Sequence, residues 1–258
     1  MFRVHSAASA SEPGSPLPGS PLIGTLRGSA RPARLATVVV EALAARIIAG
    51  VLPQGSVLPT EAVLCDEFGF SRTVLREGLK LLEERGLVRV EQGRGTTVQA
   101  RELWNLLDPT VLRIALEHDP DMALLDNLIT VRRLLESEMA RGAALRLTEE
   151  ELDALRHNIE AMKAAVRDYP EFRRLDQAFH TQVMTASGNE IGRTIVRAIH
   201  QHAGWTPSLN SPGAQKSLAR TVAAHEAVLD ALVARDGDLA AQRITEHIGA
   251  AWAERRAR

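Results

Sequence analysis

The segment from Gly50 to Val98 constrains the fold more than any other part of the chain. It reads GVLPQGSVLPTEAVLCDEFGFSRTVLREGLKLLEERGLVRVEQGRGTTV. Two short amphipathic stretches flank the turn Gly69-Phe70-Ser71, and a glycine-containing hairpin follows them. In a winged helix, two helices joined by such a turn precede a hairpin, and the second helix enters the major groove of DNA. The sequence therefore predicts a winged helix-turn-helix here.

Three cations lie on one face of the predicted second helix. Arg72, Arg76 and Lys80 recur every fourth residue, so a helix with 3.6 residues per turn places them together. Leucines at positions 75, 79 and 82 define a separate packing face. Ser71 and Thr60 precede the two helices as predicted N-caps. The cations are expected to contact DNA, and a merely solvated charged face is the alternative interpretation.

The predicted wing lies beyond Gly86. The segments Leu87–Glu91 and Thr96–Ala100 favour strands, because they are short and rich in β-branched residues. The sequence Gln-Gly-Arg-Gly between them supplies the glycines that a hairpin turn requires. Arg94 stands at the tip, where we expect it to face a neighbouring groove or the DNA backbone.

These residues resemble the GntR-type winged helix. The similar stretches are LPTEAVLCDEFGFSRTVLREGLKLLEERGLV and the GRGTTV that follows it. The resemblance implies DNA contacts at six positions, Ser71, Arg72, Thr73 and Arg76 in the second helix and Gln92 and Gly93 in the wing. The family usually has arginine after the glutamate of its LPxE start, and this chain has Ala62 there. One DNA contact of the family is therefore expected to be missing.

Composition limits the compartment and the partners. The formal net charge of the 258 residues is -1, so attraction to DNA must come from a local basic surface. A single cysteine, Cys65, permits no internal disulfide and is expected to be a small core residue. The chain has no apolar run long enough to span a bilayer. We therefore expect a cytoplasmic protein with no membrane partner.

The chain divides into four predicted regions. Residues 1–32 are rich in Ser, Pro and Gly and are expected to form a disordered tail, and residues 33–100 form the winged helix. Residues 101–120 form a linker whose expected packing residues are Trp104, Leu106, Leu107 and Pro109. Residues 121–258 show three- and four-residue apolar spacing, with breakers, including Thr206–Gly213, that separate about six helices. The predicted fold is mainly α, with a winged helix-turn-helix followed by an all-helical bundle.

Three histidines and one aspartate are predicted to converge in the bundle. Asp176 and His180 are four residues apart in LDQAFH, so a helix projects both from one face. His225 and His247 flank a turn at positions 236–238, and antiparallel helices on either side of it bring the two imidazoles nearly level. Each histidine alone is more often a hydrogen-bonded core or surface residue. The set together indicates a metal site.

The segments DQAFH, AHEAVLDAL, GD and TEHI are similar to the metal-binding FadR C-terminal (FCD) domain of one GntR subfamily. This resemblance implies that the metal ligands are Asp176, His180, His225 and His247. One oxygen and three nitrogen ligands with spare coordination positions suit a divalent ion, with Zn²⁺ first and Ni²⁺, Mn²⁺ or Fe²⁺ as alternatives.

The resemblance also implies an effector site beside the metal. Open coordination positions can accept a carboxylate, and Arg132 in TVRRLLE matches the arginine that would bind it, whereas Arg133 should point about 100° away. Four further residues could line the same cavity or merely pack and hydrogen-bond there, Arg197, His200, His202 and Trp205. The stretch WNLLDPTVLRIALE resembles the subgroup that senses sugar acids, although a dicarboxylate or another hydroxy acid would satisfy the same groups.

The resulting hypothesis is a homodimeric transcription regulator and not an enzyme. Two winged helices would bind a palindromic operator, and a small carboxylate such as a sugar acid would release a repressor from it. Two alternatives stay open, a metal-dependent hydrolase and a regulator with a purely structural metal. The hydrolase lacks a recognisable general acid or base, because Glu226 should project about 100° away from His225 around the helix.

Overall fold

The computed structural model describes residues 22–202 and 214–257, with side chains at 34–200 and 217–257. The described ranges contain ten α-helices and one antiparallel pair of strands. In the first half these are α1 (Leu22–Ile48), α2 (Glu61–Phe68), α3 (Arg72–Glu84), β1 (Val88–Glu91), β2 (Gly95–Val98) and α4 (Pro109–Glu117). In the second half they are α5 (Ala123–Ala144), α6 (Glu149–Ala164), α7 (Tyr169–Ala186), α8 (Glu190–His202), α9 (Ala214–Val233) and α10 (Gly237–Arg256). The mainly α fold with a small wing is confirmed.

The winged helix forms through the caps that the sequence predicts. The Thr60 hydroxyl accepts a hydrogen bond from the N–H of Val63 at the start of α2, and the Ser71 hydroxyl accepts one from Val74 at the start of α3. The leucines at positions 75, 79 and 82 of α3 are buried in a core shared with α1. Strands β1 and β2 pair from Val88 opposite Val98 to the hairpin turn. The core face of α3 is thereby fixed, and its cationic face is left exposed.

Gly86 allows the chain to turn from α3 into β1. Its φ is +73°, a left-handed conformation that favours glycine. A Cβ atom at this position would collide with the backbone carbonyl of Leu103, which crosses directly over it. The wing is therefore joined to its recognition helix by a turn that a larger residue would strain.

The N-terminal boundary of the structured part differs from the expected one. Residues 1–21 of the predicted tail lie outside the described residues. Helix α1 begins at Leu22, so it includes the end of the segment that was expected to be disordered. Ala36, Val39 and Leu43 of this helix are buried. Once packing has nucleated a helix, extension is easy, because each residue that is added forms one new backbone hydrogen bond. Composition gives no information on this extension.

The segment 101–120 is part of both cores. Asp108 caps α4, with its carboxylate accepting hydrogen bonds from the N–H groups of Thr110 and Val111. Val111 belongs to the winged-helix core, whereas Leu112 packs with Leu124 at the start of α5. Helix α4 also contacts α1 and α8. The DNA-binding domain and the bundle are therefore connected through a packed helix.

Two of the four packing residues predicted in this segment pack as expected. Trp104 and Leu106 lie against the winged-helix core, and the indole N–H of Trp104 donates to the carbonyl of Gln99. The prediction is wrong for the other two, because Leu107 is 59% exposed and Pro109 is also exposed. Pro109 begins α4, where its fixed φ suits the first helical position and no N–H is needed.

The second domain is a bundle of α5 to α10. Helix α10 packs along both α5 and α9, and α6 packs against α7 and α9. Thr148, Asp168 and Asp236 are the N-caps of α6, α7 and α10, and Asp236 lies in the turn predicted at positions 236–238. The whole of the predicted break at Thr206–Gly213 falls outside the described residues. None of the helices in the described ranges is long and apolar enough to cross a membrane.

Candidate DNA-binding surface and metal centre

The six residues expected to contact DNA lie on the exposed surface of the winged helix. Four are at the N-terminal end of α3 and two are in the turn between β1 and β2, namely Ser71, Arg72, Thr73 and Arg76, and Gln92 and Gly93. Arg94 is also exposed in this turn, and Gly93 and Gly95 have φ values of +78° and +91°. In the described structure, no other element covers the start of α3 or the tip of the wing, so their polar groups are exposed.

Arg76 is held in position by Glu61 of α2. Its Nε atom lies 3.0 and 3.1 Å from the two carboxylate oxygens of Glu61, and its side chain is 69% exposed. Such an exposed pair stabilises the fold by about 1 kcal/mol at most. Ala62, where the family's arginine is absent, is exposed beside it, and Cys65 packs partly buried against the core as predicted.

The four predicted metal ligands converge at the centre of the bundle. Their donor atoms all lie within 4.8 Å of one another. The Nε2 atom of His180 is 3.2 Å from Nε2 of His247 and 3.4 Å from Nε2 of His225, and Oδ1 of Asp176 is 3.5 Å from Nε2 of His225. Helix α7 supplies the first pair of ligands, and α9 and α10 supply one histidine each. The three histidines are buried, whereas Asp176 opens toward a cavity.

These distances fit a divalent ion. Bonds of about 2.0–2.1 Å at octahedral to tetrahedral angles separate neighbouring ligand atoms by about 2.9–3.4 Å. The Nε2 atom of His180 has this spacing from the Nε2 atoms of both His225 and His247. One aspartate and three histidines leave coordination positions open, as in sites that also bind water or a small ligand. The residues present therefore fit the metal that the sequence predicts.

Burial keeps the nitrogen lone pairs of two of the histidines available. Burial lowers the pKa of His225 well below the usual value for histidine, and the neighbouring charges of His180 and Arg132 lower it further. Burial likewise lowers the pKa of His247, with the other two imidazoles adding to the effect. Neutral imidazoles are the form that binds metal ions.

Glu136 is a functional residue that the sequence analysis missed. This carboxylate of α5 is only 2% exposed. Its Oε2 atom accepts a hydrogen bond from Nδ1 of His180 at 2.5 Å, and its Oε1 atom lies 2.5 Å from Nε of Arg132 and 3.3 Å from Nε2 of His200. With Nδ1 occupied, His180 presents the lone pair of Nε2 to the centre of the cluster. Its spacing of four residues from Arg132 is visible in the sequence, but that spacing is equally common in solvated ion pairs.

The charge of Glu136 is stabilised by its neighbours. Burial alone raises the pKa of this carboxyl group. The charges of Arg132 and His180, with the hydrogen bond from His180 and the nearby imidazole of His200, outweigh burial and hold the pKa well below its ordinary value. Glu136 is therefore ionised, and it contacts a candidate metal ligand, His180, and Arg132 at the same time.

Replacing Glu136 with glutamine should weaken divalent-metal binding by about 10- to 100-fold, the usual effect of losing a group that orients a metal-bound histidine. The amide keeps the size of the side chain but not its charge. Chelator competition with Zn²⁺ measures the change. Glu138→Gln, at an exposed position on the same helix, is the matched control and should leave the affinity unchanged. Equal affinities of the two variants would contradict the orienting role.

Arg132 lies beside the cluster as the sequence predicts. Its Nη2 atom is 3.3 Å from Nε2 of His180, and the residue lines the same cavity as Asp176 and His247. Arg133 is exposed and its guanidinium lies near Gly249 of α10, so the two arginines do point apart. The structure places one arginine at the cluster and excludes the other from it.

Of the four other predicted cavity residues, the structure describes the side chains of two, Arg197 and His200, and neither lines the cavity. Arg197 is exposed, whereas the side chain of His200 is 9% exposed and contacts Glu136 rather than the cavity. The side chain of His202 and the whole of Trp205 lie outside the described residues. Glu226 forms an ion pair with Lys163 on the outside of α9, so it is not directed at the cluster.

The cavity beside the cluster has a volume of about 260 Å³. Its lining comes from α5, α7, α9 and α10, and it includes the apolar side chains of Phe172, Leu218 and Ile248 as well as several polar groups. This volume lies below the range of about 300–1,000 Å³ typical of drug-sized ligands. The cavity therefore suits a small metabolite.

The winged helix packs through α4 onto a bundle that contains the histidine and aspartate cluster and a small cavity. This arrangement defines a DNA-binding regulator with a ligand-binding domain. Residues 35–98 match the family described as bacterial regulatory proteins, gntR family, and residues 127–250 match the FCD domain. The chain is 33% identical over 204 residues to the galactonate operon transcriptional repressor of Escherichia coli K12, covering 79% of this chain and 89% of that protein. The chain belongs to the GntR family of transcriptional regulators and carries an FCD ligand-binding domain.

Other relatives support this assignment. The Glc operon transcriptional activator of Escherichia coli K12 is 38% identical over 159 residues, covering 60% of this chain and 61% of that protein. A solved structure, described as "Lar controls the expression of the Listeria monocytogenes agr system and mediates virulence", matches with a TM-score of 0.51 and 18% identity. It covers 84% of this chain and 94% of that chain, and it shows the fold alone. These relatives are transcription regulators and not enzymes.

Proposed function

We propose that the protein is a homodimeric, metal-containing repressor that a small carboxylate, such as a sugar acid, releases from a palindromic operator. The observation that carries this proposal is the position of Arg132, 3.3 Å from the His180 nitrogen and on the wall of the cavity. A carboxylate there could accept two hydrogen bonds from the guanidinium of Arg132 and also occupy an open coordination position of the metal. Zn²⁺ is the proposed ion, because it commonly takes nitrogen and oxygen ligands in open sites.

The proposed operator contacts are those expected from the sequence. Arg72 and Arg76 would bind DNA from the recognition helix, with Ser71 and Thr73 beside them, and the wing tip would contribute Gln92 and Gly93. All are exposed on the winged helix. Two winged helices related by a two-fold axis would bind two half-sites. For this reason we propose a homodimer and a palindromic operator.

Helix α4 provides the physical connection between ligand and DNA. It contributes buried residues to the winged-helix core and also packs on α5, the helix that carries Arg132 and Glu136. It also contacts α8, whose His200 lies 3.3 Å from Glu136. A ligand that draws Arg132 away from Glu136 would therefore act on helices that touch both domains. A tenfold change in operator affinity requires about 1.4 kcal/mol of such coupling.

The effector class follows from the relatives and the chemistry of the site. One relative is the galactonate operon transcriptional repressor of Escherichia coli K12. A sugar acid has the carboxylate that the arginine and metal would bind, and its hydroxyl groups suit a cavity with polar walls. A purely structural metal is the competing proposal, and it predicts that no small carboxylate binds.

The test is operator release by acids. An operator is first selected from a random duplex library with the wild-type protein. Galactonate and gluconate should lower the affinity of zinc-loaded protein for this duplex, measured by fluorescence anisotropy. Arg132→Lys keeps the positive charge but loses the planar guanidinium that can bind a carboxylate through two hydrogen bonds. This variant should therefore need about tenfold more acid for the same release.

Arg133→Lys is the matched control and should respond like wild type, because Arg133 lies outside the cluster. Tighter operator binding with acid would contradict release, and an effect that is equal in both variants would contradict the role of Arg132. Failure of every tested carboxylate to bind would favour the structural metal.

A further inference from the structure

One part of the cavity lining consists of three hydrogen-bonded side chains, Ser217 and Arg220 of α9 and Glu254 of α10, which we call the outer polar group. The Ser217 hydroxyl donates to Oε2 of Glu254 at 2.5 Å. The Nη2 and Nε atoms of Arg220 donate to Oε1 of Glu254 at 2.5 and 2.8 Å. All three residues line the cavity that also contains Arg132 and His247.

The outer polar group lies far from the metal cluster along the bundle. Ser217 precedes the metal-binding His225 by just over two helical turns on α9, and Glu254 follows His247 by about two turns on α10. At 1.5 Å per residue these spacings are about 10–12 Å. The walls between the two ends include Phe172 and Ile248. The cavity is therefore elongated, with different chemistry at its two ends.

This length matches one class of ligand. An extended acid of five or six carbons measures about 7–8 Å between its terminal oxygens, at about 1.2 Å per backbone bond. One metal bond of about 2 Å and one hydrogen bond of about 2.8 Å bring its reach to about 12–13 Å. An acid of two or three carbons bound at the cluster would end near the middle of the cavity.

At the contact between Glu254 and Arg220, a ligand hydroxyl group is favoured over a second carboxylate. The guanidinium of Arg220 is already paired with Glu254, and a ligand carboxylate placed there would face the carboxylate of Glu254. Arg173 and Arg255 also line the cavity, and each has an interaction of its own. A ligand hydroxyl, in contrast, can donate to Glu254 and accept from Arg220 or Ser217.

We propose that the outer polar group selects linear polyhydroxy monocarboxylic acids of five or six carbons over shorter hydroxy acids and over dicarboxylic acids. Glu254 is the specificity-determining residue, because it both accepts from the distal hydroxyl and repels a second carboxylate. This inference rests on the proposed function, since it requires the carboxylate to bind at the cluster.

The test is calorimetric titration of full-length, zinc-loaded protein with glycolate, galactonate, gluconate and galactarate. At least one of the two six-carbon monocarboxylates should bind about tenfold more tightly than glycolate and than the dicarboxylate galactarate. Glu254→Gln should lower the affinity for this acid about tenfold, leave that for glycolate within about twofold, and reduce the discrimination against galactarate. Glu246→Gln, at an exposed position on the same helix, is the matched control and should change none of these affinities.

The outcomes separate this inference from the proposed function. Carboxylate binding that does not depend on chain length, or galactarate binding as tightly as the monocarboxylates, would overturn the inference alone. An equal loss of affinity for glycolate and for the six-carbon acid in Glu254→Gln would also overturn it. Should none of the four acids bind wild-type protein, both proposals fail. Ser217→Ala gives a second variant if Glu254→Gln does not fold, and it should show a smaller loss for the long acid only.

Discussion

Replacing His225 with alanine should lower the affinity for Zn²⁺ by about 100-fold or more. A group that merely orients a ligand changes affinity by about 10- to 100-fold, so loss of a direct ligand should have at least the larger effect. His225 is fully buried, with its Nε2 atom 3.4 Å from His180 and 3.5 Å from Asp176. Chelator competition and metal analysis of the purified protein measure the change.

His157→Ala is the control for this prediction. His157 is exposed on α6, outside the cluster. This variant should bind Zn²⁺ like wild type, so a similar loss in both variants would contradict the assignment of His225. Thermal unfolding of each protein with and without EDTA separates two roles of the metal. Effector binding that is lost on chelation while the bundle stays folded supports a ligand-binding metal, whereas unfolding of the bundle supports a structural one.

Replacing Arg72 or Arg76 with alanine should weaken binding to the selected operator by about 10- to 100-fold each, since a specific arginine contact contributes about 1–3 kcal/mol. Arg76 also loses its ion pair with Glu61, but this exposed pair contributes little to stability. The thermal unfolding of the variants should therefore stay close to wild type while DNA affinity falls. Fluorescence anisotropy at several salt concentrations measures the affinity and its electrostatic part.

The matched control for the DNA contacts is Arg156→Ala. Arg156 is exposed on α6 of the bundle, where it pairs with Asp153 three residues earlier, so it has the same charge but is not on the winged helix. Its loss should leave operator affinity unchanged. Full operator binding by both Arg72→Ala and Arg76→Ala would show that the cationic face of α3 is only a solvated surface.

Much of the candidate site could be predicted because its residues follow helical spacing. Asp176 and His180 share a face of one helix, and His225 and His247 are level across one turn, so local geometry alone brings each pair together. Glu136 could not be found in this way. Its role depends on the packing of α5 against α7 and α8, which places its carboxylate between His180 and His200. Nothing local distinguishes a buried glutamate from a solvated one four residues after an arginine.

The sequence by itself determined the elements, the helix caps, the wing and the two separate pairs of candidate metal ligands, because these depend on residues close along the chain. Only the tertiary structure decided that α4 belongs to both cores, that Leu107 is exposed, and that Ser217 and Glu254 meet at the end of the cavity. Such contacts join residues that are distant in sequence, and they depend on how whole helices pack. Helical periodicity shows which face of a helix is buried, but it does not show which partner covers that face.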